Sequence, residues 1–340
     1  MVSIKDVARR AGVSIGTVSN VVNRPSLVSE STRERVRAAI RELGYVRSET
    51  ARQLRAGQSR VIALLVLDMT NPFFVDVAHG AEREAREQGL GVMFCNSDQD
   101  PEEEAAYLSL FAEQRVRGVL ITPATEGDAA LAVLSGFSRH GIPHVLVDRL
   151  VPADRACSVS VDDVTGGSLA AAHLFGLGHR RIGYVTGPLR MAQCADRLRG
   201  ARAAAAEAGL DEDAVRVEER GALTVAEGRA AAHALLSGAA QAWPTAVFCA
   251  NDLLALGVLQ VMVERGVRVP DDMAIVGYDD IEFAAAAAVP LSSVRQPARL
   301  IGRTAARLLI EETDPATAPE HHHQRVVYEP ELVVRRSTSG

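Results

Sequence analysis

The chain has 340 residues, 47% of them hydrophobic and 24% charged, with a formal net charge of −6. That length exceeds one ordinary core, so two or three domains are expected. Its single lysine, Lys5, excludes a Walker A phosphate loop and Schiff-base chemistry in the body. The charge is divided: residues 1–60 carry twelve basic and five acidic side chains, net +7, and the other 280 carry twenty-five and thirty-eight, net −13. One end is suited to a polyanion.

In chain order the basic end comes first. Ser3 caps a predicted helix whose apolar residues Ile4, Val7, Ala8 and Ala11 share a face, with Asp6 at the third helical position as in a capping box, and Gly12 ends it. Ser14 caps a second, with Val18, Val21 and Val22 inward and Gly16, Ser19, Asn20 and Asn23 on the other side. This is the spacing of a helix-turn-helix. Ser29 opens a third helix on the stripe Val36, Ala39, Ile40 and Leu43, flanked by Arg33, Arg35, Arg37 and Arg41, and Gly44 stops it. Basic residues clustered on this spacing point to DNA binding through phosphate contacts. Residues 1–46 read as a small all-α DNA-binding domain, and residues 47–60 as a hinge and linker. Ser48 to Gly57 can form two helical turns, too few to be stable alone.

From Val61 apolar runs alternate with helical stretches. The runs Val61–Leu67, Gly91–Cys95, Gly118–Ile121, His144–Val147, Arg181–Thr186, Ala246–Ala250 and Met273–Gly277 read as strands. They are apolar throughout and therefore covered on both faces, which predicts an α/β body of two doubly wound parallel-sheet lobes, about five strands each, meeting near residues 155–165. The body is expected to span 61–340, with an N-lobe of about 61–160 and part of 290–325, and a C-lobe of about 161–290 and 325–340.

Open α/β sheets bind ligands beyond the carboxyl ends of their strands. There the chain places Asp68 to Phe74, Asn96-Ser97-Asp98, Asp148-Arg149, residues 187–197, Asn251-Asp252 and Asp279-Asp280. Any one of these is commonly just a cap or turn, but together they aim hydrogen-bonding groups at one cleft. Adjacent phenylalanines beside carboxylates, Asn and Arg suit a polyol ring, whose apolar faces stack while its hydroxyls bridge acceptors and donors.

Cys95, Cys157, Cys194 and Cys249 show no C-x-x-C spacing and read as reduced core residues. His321-His322-His323 lies in a polar stretch and reads as a solvated loop, so no metal site is expected. No apolar stretch reaches transmembrane length without a charge or turn, and the chain starts on a capped helix in place of a signal peptide. A cytoplasmic protein with no membrane partner is expected.

With these residues assembled, the chain resembles the LacI/GalR family of bacterial transcription regulators over essentially its whole length. The head resembles the family signature at Ile4-Lys5-Asp6-Val7-Ala8, Thr17-Val18-Ser19 and Val22-Asn23, and the hinge at Ala51-Arg52 and Leu54. The body is similar at Asn71-Pro72-Phe73-Phe74, Leu177 to Ile182, Arg197 with Gly200, Asn251-Asp252, Val269 to Asp272, Gly277 to Asp280 and Arg295-Gln296-Pro297. The resemblance implies a body like the periplasmic sugar-binding proteins (type I), dimerised, with a helix-turn-helix head on each subunit that binds a palindromic operator, most simply as a repressor. It implies DNA contacts from Ser14, Ile15, Gly16, Thr17 and Asn20, from the hinge residues Arg52 and Arg55, and from Leu54 as a minor-groove wedge. Arg47-Ser48 departs from the family's usual Pro-Asn and leaves the hinge less rigid. It further implies an effector cleft built from Asn71, Phe73, Phe74, Arg197, Asn251 and Asp279, with Asp98, Asp148, Arg149 and Gln296 as weaker candidates. Tandem Asn-Pro-Phe-Phe resembles the ribose-type binding proteins and points to a monosaccharide or derivative. No leucine heptads follow the body, so a homodimer is expected.

An enzyme is the rival class. Gly12-Val13-Ser14-Ile15-Gly16 is formally G-x-S-x-G, but a helix precedes it where a nucleophile elbow needs a strand. Gly176 and Gly178 do not complete G-x-G-x-x-G, because position 181 is arginine. No catalytic residue and no cofactor are expected. A transport binding protein shares the body's fold, but the basic head argues against it.

Overall fold

Three short helices make the head: α1 (Ile4–Ala11), α2 (Ile15–Asn23) and α3 (Glu30–Leu43). The backbone N and the Oγ of Ser3 both donate to Asp6 Oδ2, at 2.9 and 2.7 Å, and Gly12, at φ +64°, turns the chain out of α1. Ser14 Oγ then accepts from the Thr17 backbone N at 3.0 Å and starts α2. The faces so aligned bury Val7, Ala8, Ala11, Val18, Val21, Val36 and Ala39 in one small core. Val22, expected inward, is half-buried. Arg10 clamps Glu42 through two N–H groups at 3.0 and 2.8 Å and ties α1 to α3.

The computed structural model describes residues 2–45, 59–125, 127–239, 241 and 243–339, the backbone alone at 127–132, in two units, 1–59 and 60–340. Arg47, Ser48, Arg52, Leu54 and Arg55 lie outside the described residues.

The body opens with β1 (Val61–Val66), α4 (Pro72–Glu87), β2 (Gly91–Asn96), α5 (Pro101–Gln114), β3 (Gly118–Ile121), α6 (Gly127–Arg139), β4 (His144–Val147) and β5 (Cys157–Val161). A second series follows: α7 (Asp163–Gly176), β6 (Ile182–Thr186), α8 (Ala192–Glu207), β7 (Val215–Glu219), α9 (Val225–Leu235), β8 (Ala246–Cys249), α10 (Asp252–Glu264), β9 (Ala274–Asp279), α11 (Glu282–Ala286) and β10 (Ser292–Arg295). Then come α12 (Ala298–Thr313), β11 (Arg325–Tyr328) and β12 (Glu331–Val333). The two sheets have the orders β11-β5-β4-β3-β1-β2 and β12-β10-β9-β8-β6-β7. The pattern β2-β1-β3-β4-β5 thus repeats as β7-β6-β8-β9-β10, the doubly wound order whose ligand crevice lies at the carboxyl ends. All pairings are parallel except β12 with β10.

Each sheet has six strands where about five were expected, because the end of the chain adds one edge strand to each. The chain changes lobe near Asp162, at Gln296-Pro297 and near Glu329-Pro330. Residues 292–295 therefore sit in the second sheet and residues 325–328 in the first, against the expected boundaries of 290 and 325.

Where α7 crosses α8 the backbones touch: a Cβ on Gly167 would stand 2.0 Å from the Arg197 carbonyl oxygen, and one on Gly200 1.9 Å from that of Val164. Only glycine allows this approach, and it sets Asp163 beside Arg197. The four cysteines are buried and unbridged, as their spacing predicts. His321 is a correction to the expected solvated loop: its side chain is 5% exposed and its Nε2 lies 3.4 Å from Cys157 Sγ. No helix among the described residues is long and apolar enough to cross a membrane.

Candidate functional site

The carboxyl ends of both sheets converge on one crevice. After β1, Asn71 caps α4 by accepting the Phe73 N–H at 3.0 Å, with Pro72 at the first helical position, where no N–H is needed. That cap delivers Phe73 and Phe74, buried and edge-to-face with centroids 5.1 Å apart. After β4 comes Asp148 at φ +56°, and β9 ends on Asp279 at φ +99°. Both are left-handed positions that non-glycine residues rarely adopt and that concentrate at functional sites. Asn251 caps α10 through the Leu254 N–H at 2.9 Å and donates to the Leu223 carbonyl at 3.1 Å.

Direct bonds join the lobes across this crevice. Asn71 Nδ2 donates to Asp279 Oδ2 at 3.3 Å, and Gln193 Nε2 to Asp148 Oδ2 at 2.6 Å. Gln296, beyond β10, donates to Asp279 Oδ1 at 2.7 Å. The cavity left between them is only about 40 Å³, little more than one water.

Arg197, in α8, is held from three sides. Its Nε donates to Asp163 Oδ1 at 2.8 Å, its Nη1 to the Ala250 carbonyl at 2.5 Å, and its guanidinium lies 3.6 Å over the Tyr278 ring. The Tyr278 hydroxyl donates to the same Asp163 oxygen at 3.0 Å. Burial works against the Arg197 charge, but Asp163, Tyr278, Asp279 and Asp148 hold its pKa well above the usual range. Burial, then the Asp163 charge, pushes Asp148 up to about 7 against the pull of Arg149 and Arg197. Burial takes Asp279 to about 6, with Arg197 and the bonds from Gln296 and Asn71 holding it back. Three oxygens of cavity-lining side chains, Asp148 Oδ1, Gln193 Oε1 and Gln296 Oε1, are buried without a hydrogen-bond partner, a costly condition in a folded protein.

Of the expected residues, Asn71, Phe73, Phe74, Asp148, Arg197, Asn251, Asp279 and Gln296 line this one cavity. Asp98 does not: it is exposed on its turn, and its neighbour Gln99 lines the cavity instead. Arg149 is turned away as well, donating to the Asp148 carbonyl at 2.8 Å and lining the adjacent grooves. Met191 and Gln193, within the segment 187–197 expected at the cleft but not singled out, also line it, as do Leu67 and Leu223, which sequence reasoning passed over. Gln193 carried a signal, standing one helical turn before Arg197 on the same face. Of the two residues that hold Arg197, Tyr278 stood inside the family match Gly277 to Asp280 and Asp163 carried no signal.

In the head, Ser14, Ile15, Gly16 and Asn20 form an exposed face of α2, and Thr17 is half-buried with its hydroxyl 2.9 Å from Ser14 Oγ. Those two hydroxyls also serve the cap.

Known proteins agree with both halves. Residues 3–48 match the bacterial regulatory proteins of the lacI family, and residues 171–338 the periplasmic binding protein-like domain. The HTH-type transcriptional repressor PurR of Aliivibrio salmonicida (strain LFI1238) is 36% identical over 339 residues, covering 99% of each chain. The transcriptional regulator CelR, solved as a complex with cellobiose, is 35% identical with a TM-score of 0.72, covering 99% of this chain and 100% of its own. The Lac repressor dimer bound to operator and the anti-inducer ONPF superposes with a TM-score of 0.86 at 28% identity, covering 100% and 99%. These relatives are regulators and not enzymes. The chain belongs to the LacI family of bacterial regulatory proteins and is a DNA-binding transcriptional repressor.

Proposed function

We propose that the crevice takes a small polyhydroxylated effector, a monosaccharide or close derivative, and that its occupancy controls how tightly a homodimer of this repressor holds a palindromic operator. The observation that carries the reading is the set of unpartnered oxygens on Asp148, Gln193 and Gln296 beside the Phe73–Phe74 pair. Buried acceptors next to aromatic faces match a ring that is apolar on its faces and hydroxylated at its rim. The cellobiose held by CelR, at 35% identity, is consistent with a sugar.

The effector exchanges places with the bonds Asn71–Asp279 and Gln193–Asp148, so lobe closure and ligand compete for the same groups. Asp148, Gln193 and Gln296 contact the ligand through their unpartnered oxygens, with Asn71, Phe73, Phe74, Asn251 and Asp279 beside them; Arg197 acts from behind, through Asp163 and Tyr278. The head reads bases with Ile15, Gly16 and Asn20, and the hinge contributes Arg52, Leu54 and Arg55. Operator binding and lobe closure are coupled, so a ligand that changes closure alters operator affinity by the same coupling free energy. Such a protein works in the cytoplasm.

Thermal-shift screening of the full chain against sugars, sugar phosphates and nucleobases tests the reading, because a ligand of the native state raises the melting temperature by mass action. A sugar that shifts wild type but not Asp279→Asn supports it. A shift by a planar base alone, which the two phenylalanines could also stack, overturns it.

A further inference from the structure

At the amino ends of the first sheet's strands, opposite the crevice, a second constellation lies apart from the cavity lining. Cys157 begins β5 at its amino end and is fully buried. Glu312 lies in the last turn of α12, and His321 in the segment that leads into β11, which pairs with β5 from Arg325↔Ser158 onward. One ligand atom from each of Cys157, Glu312 and His321 falls within 4.8 Å of the others.

We propose that Cys157, Glu312 and His321 form a binding site for a thiophilic divalent cation of the Zn²⁺ class. Distances carry the assignment. A tetrahedral ion with bonds of about 2.3 Å to sulfur and about 2.0–2.1 Å to nitrogen sets the two ligand atoms about 3.5 Å apart; Cys157 Sγ and His321 Nε2 stand at 3.4 Å. Glu312 Oε2 is buried with no hydrogen-bond partner, an orphan that a cation would satisfy. Its other oxygen lies 3.7 Å from His323 Nε2. The far nitrogen of His321, Nδ1, lies 4.0 Å from a carboxylate oxygen of Glu311. The sulfur accepts the Gln324 backbone N–H at 3.3 Å; burial holds the thiol's pKa above its ordinary value, so the ion itself displaces the proton. Thiolate, imidazole and carboxylate together are a borderline-soft donor set, unsuited to Mg²⁺ or Ca²⁺. A bound ion would staple the segment 314–324 to both β5 and α12, and the thiol proton would leave to solvent.

Cobalt(II) reports on such a site, because a thiolate ligand adds a charge-transfer band that imidazole and carboxylate do not. Tag-free full-length protein, stripped with chelator, is titrated with Co²⁺. The expected result is a thiolate band saturating at about one equivalent and erased by Zn²⁺, with Zn²⁺ also raising the melting temperature. The band is lost in Cys157→Ser and His321→Gln and kept in Cys95→Ser and His322→Gln, whose residues stand outside the cluster. Should Cys157→Ser fail to fold, His321→Gln decides, since it leaves the buried thiol in place. Absence of the band in wild type, or its survival in His321→Gln, overturns the site.

Discussion

The head and the body put their working residues on opposite sides of the burial boundary. Ile15, Gly16 and Asn20 stand exposed on α2 while Val18 and Val21, on the same helix, make the core. In the crevice Asn71, Asp148, Arg197, Asn251, Asp279 and Gln296 are all less than a tenth exposed, and each is bonded to another protein group. A surface that meets a partner as large as DNA can leave its reading groups in water. A crevice that grips a small molecule must withdraw its polar groups from water, so they need partners inside the fold. Substitution in the head should therefore cost recognition alone, and removal of a bonded partner in the crevice stability as well.

Arg197→Ala should show the largest effect. It removes the partner of Asp163 and the cation above Tyr278, leaving a carboxylate buried with only the tyrosine hydroxyl. Breaking a buried pair from one side costs about 3–5 kcal/mol. Urea unfolding of the body transition measures it; a loss under about 1 kcal/mol would make Arg197 a ligand contact and erase the contrast with the head.

The strands differ in how far the sequence revealed them. The alternation of apolar runs revealed β1, β2, β3, β4, β6, β8 and β9, whose side chains are nearly all apolar. It could not reveal β5 (Cys-Ser-Val-Ser-Val), β7 (Val-Arg-Val-Glu-Glu) or β10 (Ser-Ser-Val-Arg), which lack an apolar run. In β10 the serines are buried because they are bonded over long sequence separations, Ser293 Oγ to Asp252 at 2.7 Å and Ser292 Oγ to the Arg335 carbonyl at 3.1 Å. In the crevice, residues at strand ends were legible because topology places them. Which side chain turns inward was not: Asp98 and Gln99 are adjacent and both left-handed, yet only Gln99 lines the cavity.

The next effect depends on pH. Asp148 is held near 7, above an ordinary carboxylate value near 4, so the folded protein keeps a proton that the unfolded chain releases. A raised carboxyl pKa gives stability that is present below about pH 4 and lost as pH rises through about 7. Asp148→Asn mimics the neutral acid at every pH and tolerates the left-handed backbone. It should match wild type near pH 4 and be more stable at pH 8, by on the order of 2–3 kcal/mol. Asp279, near 6, leaves a residual slope over the same window. Melting curves from pH 4 to 8 decide; equal pH slopes in both proteins would mean that the Asp148 proton is not held by the fold.

The smallest effect on the fold belongs to Asn20→Ala. Asn20 is exposed on the face of α2 opposite Val18 and Val21, and no core contact depends on it, so the melting temperature should not move. Alanine is also the better helix former. A carboxamide can pair two-fold with an adenine edge in the major groove, and losing that pair costs roughly 1–3 kcal/mol against the preferred base. The loss should fall on one base position in each half-site and leave the salt dependence unchanged, because no phosphate charge is removed. Arg37→Ala, by contrast, should weaken all sequences alike and flatten the salt slope if that arginine touches phosphate. Binding-site selection at fixed salt separates these outcomes. A uniform loss across sequences for Asn20→Ala would make it a backbone contact, and a lower melting temperature would place it, like Arg197, among the residues whose first task is to hold the fold.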